Sequence, residues 1–75
     1  KDAQGNAALG ERVRLHDCRD TMVHVQDDRL VVLQGLEDHI VVSTPDALLV
    51  VRKHDEQMIK RFVEETGKEF GEKYI

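Results

Sequence analysis

Seventy-five residues, eleven of them Lys or Arg and fifteen Asp or Glu for a net charge of -4, make at most one small domain with a limited core. The charges are scattered without a basic stripe and the aromatics are Phe62, Phe70 and Tyr74, so a nucleic-acid partner is excluded for want of a phosphate-neutralising face and a stacking platform. No apolar run approaches a membrane span and no signal-peptide pattern opens the chain, so no membrane partner is expected either.

The single Cys18 forms no internal disulfide, which fits a reducing compartment and points to the cytoplasm.

Residues 1–12, KDAQGNAALGER, are small and polar. They read as loop or linker, with Gly5-Asn6 a turn. Val13-Arg14-Leu15 alternates apolar and polar as a short strand does, Asp17-Cys18-Arg19-Asp20 breaks it, and Thr21–Val25 resumes. Gln26-Asp27-Asp28 is a tight polar connection. Taken locally, Thr21–Val25 and Leu30–Leu33 would form a β-hairpin across it. In a β-helix the same residues would be a strand, a corner and the next strand. Both readings stand at this point: short parallel β-helix-like rungs, or a small α+β fold with a hairpin.

The stretch Arg29–Arg52 is the apolar wall of the chain. Its runs Leu30–Leu33, Ile40–Val42 and Ala47–Val51 are rich in Val and Leu, and turn residues separate them, the pattern of buried strands. Leu30, Leu36, Val42 and Leu48 recur every six residues, the spacing of short flat rungs that stack. Asp46 departs from it, falling where such repeats want a small residue. Pro45 cannot donate to a ladder and pushes Thr44 towards extended backbone, so this corner is stiff. Asp46 is expected to bond backbone amides there.

After Arg52 the period changes. Asp55 is a candidate N-cap, and Met58, Ile59, Phe62 and Val63 follow at helical spacing. Glu56 and Lys60 have the favourable i,i+4 order. Gly67 is the first credible stop, although Phe70 and Tyr74 continue the stripe. The stripe is expected to cover one face of the strand wall.

No residue stands out as catalytic, cofactor-binding or metal-binding. His16, His24, His39 and His54 lack HxH or HExxH spacing, and no second Cys completes a zinc set. The pairs Asp27-Asp28 and Glu37-Asp38 suit turns, and catalytic carboxylates need an enclosing cleft. Asp17 and Asp20 would raise the Cys18 thiol pKa, the opposite of what a nucleophile needs. His16, two residues away, leaves a Cys–His pair formally open. No phosphate-binding glycine loop is present. A free-standing ligand-binding domain would use the Gly35–Asp46 corners and His39 as its rim.

In order and spacing, four segments carry a resemblance: Asp17-Cys18-Arg19-Asp20-Thr21-Met22-Val23, Arg29-Leu30-Val31-Val32, Gly35-Leu36-Glu37-Asp38-His39-Ile40-Val41-Val42 and Thr44-Pro45-Asp46-Ala47-Leu48-Leu49-Val50. From about Gly5 to Glu65 the chain resembles the C-terminal region of bacterial mannose-1-phosphate guanylyltransferases. Cys18 stands where that family usually has Ser, Asp20 where it has Asn, Val32 where it has Ala and Ser43 where it has Asp. A family that tolerates Ser at Cys18 does not use it as a nucleophile.

The resemblance implies a mainly β module, similar to a short left-handed parallel β-helix, with a C-terminal helix. By it, residues 1–12 are a linker from an N-terminal catalytic domain, 13–53 the β-helix-like strand region and 54–75 the amphipathic helix. The parent would convert GTP and mannose 1-phosphate to GDP-mannose and diphosphate with a divalent cation such as Mg. Metal and basic residues would neutralise charge during in-line attack. Nothing here matches the family's glycine-rich nucleotide loop, so no catalytic residue is carried over. The implied partners are the N-terminal catalytic domain and a second copy in a homodimer.

Overall fold

The structure is a computed structural model and describes residues 2–71. The expected continuation of the stripe at Tyr74 lies outside the described residues. So does the Glu56 side chain, and with it the expected Glu56–Lys60 pair.

Six short strands are followed by a helix: β1 (Ala7–Leu9), β2 (Val13–His16), β3 (Met22–Val25), β4 (Val31–Gln34), β5 (His39–Ser43) and β6 (Leu48–Arg52). A 3₁₀ turn, Lys53–Asp55, then leads into α1 (Glu56–Phe70). The strand region therefore begins at Ala7, inside the stretch expected to be linker. β3 and β4 do not pair as a hairpin. Instead β1, β3 and β5 stack in parallel, β2 stacks in parallel on β4, and Arg19 bridges Glu37 in the same sense. Three faces thus repeat along one chain, which is the β-helix arrangement. β6 closes the larger sheet by running antiparallel to β5.

The rungs explain the six-residue beat and correct its phase. Met22 pairs with Ile40, Val13 with Val31 and Arg19 with Glu37, each eighteen residues on, or three faces of six. The interior residues on the shifted beat are Val13, Val25, Val31 and Ser43, one position after the expected Leu30 and Val42, while at Arg19 and Glu37 the shifted beat is exposed. Leu30 and Leu48 are 62% and 60% exposed. Of the expected four, Leu36 packs on the core of Val23, Val25, Val31 and Val41. Val23 and Val41 are in register at the centre, each 1% exposed.

Each coil must turn sharply at its corners, and the corner positions have left-handed backbone. Asp17 (φ 55°) and Gly35 (φ 73°) occupy one corner in successive coils. Gly5 (φ 83°), Asp20 (φ 49°) and Asp38 (φ 60°) occupy another. Gly and Asp are among the residues that adopt this region most readily.

Between coils one and two, Asn6 acts as a buried staple. Its Nδ2 donates to the Cys18 carbonyl at 2.8 Å, and its Oδ1 accepts the Thr21 N–H at 3.0 Å. Asp2 accepts the Asn6 N–H at 2.8 Å, the Asn6 side chain at 3.1 Å and the Gln4 N–H at 3.0 Å. Gly5-Asn6 is thus a turn, as expected, and also the attachment of the first coil to the second.

At Thr44–Ala47 the turn-holding side chain is Thr44, not Asp46. Its Oγ1 accepts the Ala47 N–H at 3.1 Å, while Asp46 is exposed. A β-branched hydroxyl held extended by the following proline is already in place to accept. Asp55 precedes α1 without a side-chain cap bond, because its carboxylate pairs with Arg52 at 2.9 Å. The helix runs through Gly67 and ends at Gly71, whose N–H returns to the Gly67 carbonyl at 2.9 Å. An interior helix glycine costs only about 1 kcal/mol.

The expected cover of the wall by the helix is at most partial. Among the described elements, α1 makes its most extensive contact with its own entry turn. Met58 and Phe62 remain 40% and 41% exposed and Phe70 61%, with Ile59 and Val63 half-buried.

Three tests follow from the corners and the staple. A Cβ at Gly35 meets nothing within 4 Å, whereas one at Gly5 meets the Asp20 Oδ1 at 2.4 Å. Gly35→Ala is expected to cost about 1 kcal/mol from backbone strain alone, and Gly5→Ala clearly more, in urea unfolding. Asn6→Ala leaves the Cys18 carbonyl and the Thr21 N–H unpaired and is expected to cost at least about 2 kcal/mol by the same measurement. Hydrogen bonds from Asn6, its backbone N–H foremost, hold the Asp2 carboxyl below its ordinary 3.8. A carboxyl whose pKa is lowered in the folded state stabilises fully above the ordinary value and loses that contribution as pH falls through the folded one. Stability is therefore expected to fall as pH drops below 3.8, and Asp2→Asn to flatten that part of an acid unfolding profile.

Candidate functional site

The four histidines are dispersed over the fold. His16 and His54 are exposed, and His24 and His39 half-buried. Among the described residues, no group of three or more His, Cys, Asp or Glu side chains is placed to hold a metal ion. The Cys18–His16 pair does not form. Cys18 is 3% exposed and its thiol donates to the carbonyls of His16 and Leu33, at 3.5 and 3.7 Å, so the His16 imidazole is not its partner. A buried small group with one donor is also what serine would supply.

The carboxylates serve turns. Asp27 accepts the Arg29 N–H at 3.3 Å. Asp38 occupies a left-handed corner and meets His54, and His39 Nδ1 lies 2.7 Å from the Glu37 carbonyl. The Gly35–Asp46 rim is therefore held by its own contacts. Its densest polar group is at the end where β5 and β6 meet: Asp38 with His54, and Arg52 with Asp55. Sequence reading did not bring these four together, because the His39–Arg52 pairing that joins them is a tertiary contact.

The most extensive chemical feature is apolar. Strand alternation puts Ile40 and Val42 on the face opposite the buried Val41. Their register partners carry that face across the sheet, through Met22 and the polar His24 on β3 and through Val51 and Leu49 on β6; Leu9, beside His24, extends it on β1. Leu9 is 64% and Met22 46% exposed. On the core side, the column Ala8, Val23, Val41, Val50 is open at both ends. Ala8 is exposed, and Val50 is 51% exposed because the smaller sheet has two strands and offers β6 no opposite wall. At the first coil a groove of about 600 Å³ follows this opening, lined by Ala7, Ala8, Leu9, Leu15 and Met22 among others. No described helix is long and apolar enough to cross a membrane.

Several known proteins are similar. Alginate biosynthesis protein AlgA of Pseudomonas aeruginosa is 40% identical over 65 residues, 87% of this chain and 13% of that protein. Xanthan biosynthesis protein XanB of Xanthomonas campestris is 40% identical over 63 residues, 84% of this chain and 13% of that protein. Mannose-1-phosphate guanylyltransferase of Escherichia coli is 36% identical over 64 residues, 85% and 13% respectively. The chain thus spans about an eighth of the length of these curated relatives. The crystal structure of mannose-1-phosphate geranyltransferase from Thermus thermophilus superposes with a TM-score of 0.70 at 28% identity, over 88% of this chain and 20% of that one. The sequence model of the MannoseP isomerase/GMP-like beta-helix domain matches residues 10–66. With most of the chain matched and the parallel coils in place, the protein belongs to the MannoseP isomerase/GMP-like beta-helix domain family.

Proposed function

We propose that this chain is the C-terminal structural and assembly module of a mannose-1-phosphate guanylyltransferase. The parent joins GTP and mannose 1-phosphate into GDP-mannose and diphosphate in the cytoplasm, using a divalent cation such as Mg. In this reading the module contributes no catalytic, nucleotide-binding or metal-binding residue. It packs on the N-terminal catalytic domain of the same polypeptide and joins two subunits.

The observation that carries this reading is the apolar face of the larger sheet, Leu9, Met22, Ile40, Val42, Leu49 and Val51. Leu9 and Met22 are exposed and the other four half-buried, and an apolar face left partly open to solvent supports a protein contact. The family match supports the identity of the parent, because relatives of this chain include a mannose-1-phosphate guanylyltransferase.

Two measurements test the proposal. Incubated with GTP, mannose 1-phosphate and Mg, the chain is expected to form no GDP-mannose; measurable turnover would overturn the non-catalytic role. Sedimentation equilibrium is expected to show a concentration-dependent dimer that Val42→Lys weakens at least ten-fold. A monomer at all concentrations would remove the assembly role.

A further inference from the structure

Two apolar surfaces stay open in the folded chain. On the outer face of the larger sheet, Ile40, Val42, Leu49 and Val51 of β5 and β6 are half-buried, whereas Leu9 of β1 and Met22 of β3 are exposed. On α1, Ile59 and Val63 are half-buried, whereas Met58, Phe62 and Phe70 are exposed. In its own chain α1 makes its most extensive contact with the turn Lys53–Asp55, which leaves that ridge uncovered. We infer that α1 of a second copy covers the β1–β3 half of the sheet face. Its ridge of Met58, Phe62 and Phe70 sits on Leu9 and Met22, and the two copies exchange this contact about a two-fold axis. The contact rests on the assembly role proposed above and names the element that the second copy supplies.

A helix stripe laid on a sheet face lets both bury their apolar side chains. The dimensions agree. From Met58 to Phe70 the ridge runs about 18 Å at 1.5 Å per residue, and four strands are about 14 Å across. In register beside Leu9 and Met22 lie His24 and Ala7. The groove of about 600 Å³ in the first coil opens beside them, with room for a phenylalanine, and aromatic anchors in such pockets carry much of the energy of protein interfaces. Asp2, the carboxylate in its lining, is already engaged by the N–H groups of Asn6 and Gln4. A two-fold axis makes each contact twice. Leu9, Met22, Met58, Phe62 and Phe70 of two copies together expose on the order of 1,000 Å², and their half-buried neighbours bring the contact to the roughly 1,200 Å² at which stable interfaces begin. One helix on one patch offers about half of that, so the exchange has to be reciprocal.

Cysteine cross-linking in a Cys18→Ser background reads the contact. Cys18 is buried, so the native background serves equally if Cys18→Ser fails to fold. Leu9→Cys and Phe62→Cys chains are mixed at a concentration at which the chain sediments as a dimer, and oxidised with copper–phenanthroline. They are expected to form a mixed disulfide dimer, identified by mass. Val32→Cys, exposed on β4 of the smaller sheet, is expected to form none with Phe62→Cys. Phe62→Glu, at an exposed helix position, is expected to weaken the dimer about ten-fold or more, with the circular dichroism unchanged. A chain that sediments as a dimer but yields no mixed disulfide, or whose dimer Phe62→Glu leaves intact, would overturn the reciprocal helix cover and leave the assembly role standing. A disulfide within single chains of the Leu9→Cys/Phe62→Cys double variant would also overturn it, since α1 would then cover its own sheet. A monomer at every concentration would remove both.

Discussion

A parallel solenoid depends on one constraint: each coil must bring the chain back to the same edge in the same direction. Eighteen residues do this between Met22 and Ile40, and fifteen between Ala7 and Met22. The return requires tight corners, and the left-handed backbone at Asp17, Gly35, Gly5, Asp20 and Asp38 supplies them. Move any corner by one residue and every side chain of the next strand changes face. The buried column of Val23 and Val41, the Asn6 staple and the Cys18 donor bonds all depend on these turns.

That dependence explains which parts of the fold were legible in the sequence. Strands with a strong local signature, Val31–Gln34, His39–Ser43 and Leu48–Arg52, lie close to the runs read from Val and Leu content. The six-residue beat was genuine, but its phase was drawn through the bulky Leu30 and Leu48. In a narrow coil the interior takes the smaller Val25, Val31 and Ser43. Size misled because large apolar residues usually mark a core. Here Leu30 is exposed, while Leu15, Leu33 and Leu36 pack on the valine core. β1 was missed for a related reason: Ala-Ala-Leu between glycines has little strand propensity, and its pairing to β3 selects the conformation.

The polar residues follow the same division. Asp at a corner is readable from turn chemistry, and Asp27 and Asp38 were assigned to turns correctly. What Asn6 holds was not readable, because the Cys18 carbonyl and the Thr21 N–H come within reach only after a complete coil. Likewise the group Asp38, His54, Arg52 and Asp55 exists only once β6 has folded back on β5. The absence of a spaced ligand set in the sequence and the dispersion of the histidines in the fold have the same origin. Successive coils superimpose positions eighteen apart, and no two histidines are separated by that interval.

The coil also limits how complete the domain can be. With three strands on one parallel ladder and two on the other, the hydrophobic residues that are buried among those described are Cys18, Val23, Val25, Val31 and Val41. For a domain of this size the enclosed core is small, and a chain of this length has little further surface to bury by itself. Adding a coil would lengthen the column without closing its ends, since every coil exposes the same interior to whatever comes next. Closure has to come from a different element. β6 begins it by reversing direction, but leaves Leu48 and Val50 over an open interior, and Phe62 of α1 is still partly exposed. The apolar surface at the open ends of the column therefore belongs to the geometry of stacking itself.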